Sequence, residues 1–128
     1  MIILDTSGLL AAIDGSQRQH RAAADVLRQS SGPFLLSPFV LAELDYLLSV
    51  RVSASSAAAL LGQVAAGAYR LEPMDADDVA RAAEVIDRYR DLEVGLADAS
   101  LVVLAERHRN VTVVGDDEAS HKLEALVL

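Results

Sequence analysis

Short unbroken apolar runs alternate along this chain with longer stretches of helical spacing. The runs fall at 2–4 (IIL), 34–36 (FLL) and 111–114 (VTVV), with weaker ones near 69–71 and 126–128. Runs so short, with no polar alternation, predict strands buried on both faces, as in a parallel sheet. Between them, helical spacing extends over 8–14, 17–29, 38–50, 54–66, 76–90 and 96–108. Strands alternating with helices predict an α/β domain of three layers, α/β/α, around a central parallel sheet. Start signals agree: Ser37 and Pro38 suit the N-cap and first turn of one helix, Ser53 opens another, and Asp75, Asp77 and Asp78 load a third where the dipole favours negative charge. In such sheets ligands bind outside the carboxyl ends of the strands, so acids there carry the most weight.

Composition narrows the function. A length of 128 residues, 52% of them hydrophobic, predicts one globular domain over 1–128. The absence of cysteine excludes a disulfide framework and a thiolate metal site. Met1 is followed by no basic segment and cleavage site, and no run of about 18 apolar residues occurs, so the expectation is a cytoplasmic protein with no membrane span. Eleven basic against nineteen acidic side chains give a net charge of −8. That argues against holding nucleic acid by charge alone. It leaves a nucleic-acid enzyme whose acids are neutralised by metal ions, or a protein that pairs with a basic partner.

Most of the acids read as solvated surface or turn residues, among them Asp25, Glu72, Asp87, Asp91, Glu93, Glu106 and Glu124. Four sit in apolar surroundings. Asp5 ends the first strand, where it is either a helix cap or a site residue. Glu43 lies among Leu41, Ala42 and Leu44 in the helix after 34–36. Asp98 lies in VGLADASLVVLA, a helix apolar enough to be largely buried, and Asp116 and Asp117 follow strand 111–114 across Gly115, with spacing alone leaving open which of the two is the fourth acid. Three strand ends and one helix start thus deliver carboxylates to one crevice. Like charges converging there repel by several kcal/mol. The natural counterion is a hard divalent cation bound through oxygen.

These residues and their flanks, LDTSGLLAAID, SPFVLAELDYLL and GLADASLVVLAERH, resemble the PIN-domain ribonucleases, specifically the VapC toxins of bacterial toxin–antitoxin pairs. The resemblance implies a PIN-like, Rossmann-like fold. It implies a metal-dependent endoribonuclease using Mg²⁺ or Mn²⁺, with Asp5, Glu43, Asp98 and Asp116 as the acidic set. Asp5, Asp98 and Asp116 are then the expected metal ligands, and Thr6 and Ser7 the supporting hydroxyls. Asp117 is expected to cap a short helix over 118–123. A cognate VapB-type antitoxin and a homodimer are implied as partners, and ribosomal RNA at the sarcin–ricin loop, or transfer RNA, as substrate. One departure stands out: where many relatives carry Thr or Ser two residues before the last aspartate, this chain has Val114.

Arg18, Arg21 and Arg28 on the second helix, and Arg51 past the third, are candidate RNA-phosphate contacts. His20, His108 and His121 are expected at the surface. Two other enzyme classes fit less well. A haloacid-dehalogenase-type phosphatase needs a second Asp at position 7, where this chain has Ser. A phosphoacceptor receiver needs a late strand before its Lys, and Lys122 has none. An acidic PIN-like interaction module with a weakened site is the remaining alternative.

Overall fold

In the computed structural model, residues 1–108 and 111–115 are described. Four strands, β1 (Ile2–Leu4), β2 (Phe34–Leu36), β3 (Arg70–Leu71) and β4 (Thr112–Val114), form one parallel sheet in the order β3-β2-β1-β4. Among the described residues six helices connect them: α1 (Thr6–Ile13), α2 (His20–Gln29), α3 (Pro38–Arg51), α4 (Ala54–Ala65), α5 (Ala76–Arg88) and α6 (Leu96–Arg107). The strand at 126–128 and the helix at 118–123 predicted from sequence fall outside the described residues.

The strand order reverses beside β1. Connections from β1 and β2 step one way, and the connection from β3 returns past both to place β4 on the far side of β1. With right-handed crossovers, the forward and return steps put helices on opposite faces of the sheet. The core follows that order. Ile3, Leu4, Leu35 and Leu36 of the two central strands are fully buried, while β3 lies exposed at one edge. Each fully buried Leu contributes roughly 1.5–3 kcal/mol relative to an exposed one. The helix α6 is buried at six consecutive positions, Ala99 to Leu104, because its sequence offers no polar face there.

Helices pack in consecutive pairs, α1 with α2, α3 with α4 and α5 with α6, and α3 also touches α1 and α6. Their starts are built as the sequence indicates. Ser37 Oγ accepts from the amides of Phe39 (3.1 Å) and Val40 (3.4 Å), with Pro38 in the first turn. Ser53 Oγ accepts from Ser56 N (3.1 Å), and Asp75 and Asp78 close a reciprocal capping box. Exposed Arg81 bridges α5 to Glu106 of α6 and to its own neighbour Glu84.

The start of α2 and the end of α5 depart from the expected boundaries. The helix predicted over 17–29 starts only at His20, because Asp14 captures the preceding residues in a turn: Gln17 N donates to Asp14 O at 3.0 Å, and the Asp14 carboxylate takes Ser16 as well. The helix predicted to Arg90 ends at Arg88 and gives way to a 3-10 turn over Arg90–Leu92. Glu93 closes that turn at φ 52°, a left-handed conformation uncommon outside glycine.

Candidate active site

The carboxyl end of β1 is where the sheet, α1 and β4 meet. Asp5 follows Leu4 directly, and its amide donates to Val114 O at 3.0 Å. The helix α1 begins at Thr6, two residues earlier than the spacing predicts, so Asp5 occupies the N-cap position with extended backbone (φ −86°, ψ 154°). Its side chain makes no capping hydrogen bond. The helix-cap reading of Asp5 is thereby ruled out. Instead Ser7 Oγ donates to Asp5 Oδ2 at 2.8 Å, within a carboxylate only 4% exposed.

Gly8 makes this junction possible. A Cβ at that position would lie 2.3 Å from Val114 O, inside any permitted contact. The first turn of α1 therefore lies flush against the backbone at the end of β4. Only the residue without a side chain allows that approach.

Thr6, the next residue, is 6% exposed, and its Oγ1 is buried and makes no hydrogen bond among the described residues. Leaving a buried hydroxyl without a partner costs about 1–3 kcal/mol. A buried carboxylate beside an unsatisfied hydroxyl is an all-oxygen donor set, which fits a hard divalent cation and not a soft one.

Asp98 lies in the first turn of α6, half-buried. Two residues on, Ser100 Oγ meets Ser37 Oγ at 2.6 Å and donates to Ala97 O at 2.6 Å. That contact ties the start of α6 to the residue that follows β2, at the same carboxyl edge as Asp5. Glu43 lies on α3 beside buried Leu44, with its side chain exposed. Among the described residues, no group of three or more His, Asp or Glu stands close enough to hold a metal ion. Asp116, Asp117, His121, Lys122 and Glu124 lie outside the described residues; Gly115 is the last one before them.

The four candidate arginines separate. Arg18 and Arg51 line one cavity of about 280 Å³ together with Ser7. Arg28 pairs with Asp25 on its own helix, and Arg21 is exposed on α2 and is not among the residues lining that cavity.

Four acidic or basic side chains behave differently from the surface role expected of them, or had no expected role. Asp14, only 7% exposed, accepts from Ser16 N (3.0 Å), Ser16 Oγ (2.8 Å) and Gln17 Nε2 (3.2 Å). Those bonds, the Ser16 hydroxyl first, hold its carboxyl below the usual carboxylate range. The spacing D-G-S-Q is an Asx-turn signal that announces this role. Glu72 and His108 are both largely buried and bonded to each other, His108 Nε2 to Glu72 Oε1. No local pattern signals that pair, because it joins residues on separate elements. His20 is partly buried too, its Nδ1 2.8 Å from Ala11 O, where it links α2 to α1.

A model of the PIN domain matches residues 2–124. The chain belongs to the PIN-domain family. Over 113 residues, 88% of this chain and 84% of its relative, it is 39% identical to Ribonuclease VapC26 of Mycobacterium tuberculosis. Its fold matches the crystal structure of VapC20 from the same species, described as a sarcin–ricin loop cleaving toxin, with a TM-score of 0.80. That match covers 94% of this chain and 95% of the other at 24% identity. A PIN domain with a central parallel sheet and a strand-end carboxylate is thus the frame for the functional reading. No helix among the described residues is long and apolar enough to cross a membrane.

Proposed function

We propose that this PIN-domain chain is an endoribonuclease of the VapC toxin type, working with Mg²⁺ or Mn²⁺. The observation that carries the reading is Asp5: a buried carboxylate at the carboxyl end of a central strand that caps nothing, in a chain 39% identical to a ribonuclease. Asp5, Asp98 and Asp116 are the assigned metal ligands, with Glu43 completing the acidic set. Thr6 and Ser7 support it. Asp117 has the assigned role of capping the segment that follows.

A bound divalent ion supplies an activated water and charge relief on the phosphoryl oxygens. The chain supplies position. Burial of β1 fixes Asp5 at the edge of the sheet, and the Ser7 hydroxyl orients its carboxylate through Oδ2. Thr6 Oγ1 offers a further oxygen to a ligand or its water. The Ser37–Ser100 contact holds the first turn of α6, and with it Asp98, against the end of β2.

The assigned substrate is RNA, with the sarcin–ricin loop of ribosomal RNA as the first choice and transfer RNA as the second. A basic VapB-type antitoxin segment suits a chain of charge −8 with an acidic crevice, and a homodimer is the assigned assembly. The test is cleavage of a sarcin–ricin loop oligonucleotide and of transfer RNA by the purified chain, with Mn²⁺ or with chelator, beside Asp5→Asn. Cleavage is expected only with metal. Asp5→Asn is expected to lose at least about a hundredfold in rate while keeping the parent circular dichroism, since the amide is a neutral, poorer ligand. Metal at a hundred times its dissociation constant is expected to stabilise the parent by about 2.7 kcal/mol. Cleavage in chelator, or a folded Asp5→Asn protein that cuts at the parent rate, overturns the assignment.

A further inference from the structure

The cavity lined by Ser7, Gln17, Arg18, Gln19 and Arg51 stands one side chain away from Asp5, since Ser7 both lines it and bonds the Asp5 carboxylate. Its charge is distinctive. Arg28, Arg70, Arg81, Arg90 and Arg107 are all paired with carboxylates, and Arg88 lies over the ring of Tyr89 at 5.5 Å. Arg18, Arg21 and Arg51 have no ion pair among the described residues, in a chain with a large excess of acid, and of these three it is Arg18 and Arg51 that line this cavity. Arg18, Arg51, Gln17, Gln19 and Ser7, beside an apolar wall of Leu10 and Ala11, enclose about 280 Å³, a space roughly nine water volumes in size with several hydrogen-bond donors in its lining residues. Such donors match the oxygens of a phosphodiester. The described lining includes no aromatic ring on which a base would stack, so the space reads backbone and not sequence.

The segment that presents Gln17, Arg18 and Gln19 is a turn leading into α2, entering the helix only at Gln19, whose carbonyl accepts from Ala23 N at 3.0 Å. It is held from one end by Asp14, through Ser16 N, Ser16 Oγ and Gln17 Nε2, and from the other by His20 N donating to Gln17 O at 3.1 Å. Asp14 is thus bound to the segment and does not itself line the cavity.

We propose that this cavity seats an RNA phosphate flanking the scissile bond, with Arg18 and Arg51 as its binding residues and Asp14 as the positioning residue that presents Gln17 and Arg18. The assignment rests on the ribonuclease reading above and names how that site holds its substrate. The cleaved phosphodiester belongs to the carboxylates; the neighbouring phosphate belongs to the arginines. The acidic domain thereby grips RNA through two localised cations without a basic surface.

The experiment compares two substrates on the full chain with Mn²⁺: a single-stranded RNA oligomer, and bis(p-nitrophenyl) phosphate, which has a scissile diester but no flanking phosphate. Arg18→Ala and Arg51→Ala are each expected to raise KM for the oligomer about tenfold with less than a twofold change in kcat. The ratio of oligomer to diester efficiency is then expected to fall about tenfold. Each loss also flattens the log–log dependence of oligomer binding on salt by about 0.7, the share of one phosphate contact on a single strand. Oligomers of different sequence lose equally. Asp14→Ala is expected to raise KM similarly, and the Asp14→Ala/Arg18→Ala double variant to be no worse than Arg18→Ala alone, because both remove one interaction. Asp14→Asn, which keeps the side-chain shape and one acceptor oxygen, retains part of the effect if Asp14→Ala proves unstable. Equal losses on both substrates, additive effects of Asp14 and Arg18, or an unchanged salt slope overturn the proposal. So does competition at Arg18 and Arg51 by poly-glutamate in place of RNA, which makes the cavity a seat for acidic peptide. A parent that hydrolyses neither substrate contradicts the ribonuclease reading, and RNA binding measured by anisotropy on the same variants still decides the phosphate seat.

Discussion

Two cavities on this domain use the same residue types to opposite ends. The larger, about 490 Å³, lies between the end of β3, the start of α5 and the end of α6. Its charges are satisfied from within. Arg107 donates to Asp78 Oδ2 (3.0 Å) and to Pro73 O (2.9 Å), His108 bonds Glu72, and Arg70 Nε lies 3.9 Å from the other Glu72 oxygen. These contacts moor β3, a two-residue edge strand, to α6. The smaller cavity, beside Asp5, leaves Arg18 and Arg51 without a carboxylate among the described residues. Size points to the wrong cavity. Charge that the fold has not already consumed points to the one beside the carboxylate.

The contrast breaks most readily at His108. Replacing it by Ala leaves Glu72 buried with, among the described residues, Arg70 at 3.9 Å as its remaining charged neighbour, and is expected to cost about 1–3 kcal/mol in denaturant unfolding. RNA cleavage per folded molecule is expected to stay at the parent value. A tenfold loss of that specific activity makes the larger cavity a working part of the site and ends the distinction.

Acid gives a smaller effect that reaches both cavities. The Ser16 hydroxyl and amide hold the Asp14 carboxyl below its ordinary value of 3.8. The Asp75 amide, with Arg107 beside it, does the same for Asp78. A depressed folded-state pKa means the folded protein prefers the charged form. The resulting stabilisation is therefore complete above pH 3.8 and is lost as pH falls below it. Melting temperature across pH 7 to 3 is expected to show this part of the loss only below about pH 4, and to show less of it in Asp14→Asn and Asp78→Asn. The same acid step in both variants as in the parent excludes these two carboxylates as its source.

The smallest effect sharpens the contrast among arginines. Arg28 is exposed and already paired with Asp25, so Arg28→Ala is expected to change KM for RNA by less than about twofold and stability by less than about 1 kcal/mol. A KM rise equal to that of Arg18→Ala means that pairing on the surface does not remove an arginine from RNA binding.

Much of this architecture was legible locally. The runs IIL and FLL became the buried centre of a parallel sheet, and Ser37–Pro38, Ser53 and Asp75 opened helices where their short-range chemistry indicates. The position of Asp5 at a strand end was readable from its neighbours, but the fact that it caps nothing was not. That depends on Ser7 turning toward it and on Gly8 letting β4 come close, contacts made only after folding. Glu72 and His108 read as surface for the same reason: their partnership spans separate elements, and each has polar neighbours in sequence. Arg18 and Arg51 could be named as cations from the sequence. Their shared cavity could not, because the turn before α2 and the end of α3 meet only in the tertiary structure.

The pairing of β1 with β4 joins Ile2 to Thr112, nearly the whole length of the described chain. On a ribosome adding roughly 5–20 residues per second, β1 is synthesised about 5–20 s before its partner. During that interval β1 has an open edge, the Asp5 amide lacks the Val114 carbonyl, and nothing rests on Gly8. The early segments are free to fold around β2 and α3, but the ledge on which Asp5 sits is finished last. Synthesis of β4 is thus a built-in timer: the Asp5 ledge gains its backbone partner only once β4 has emerged and docked.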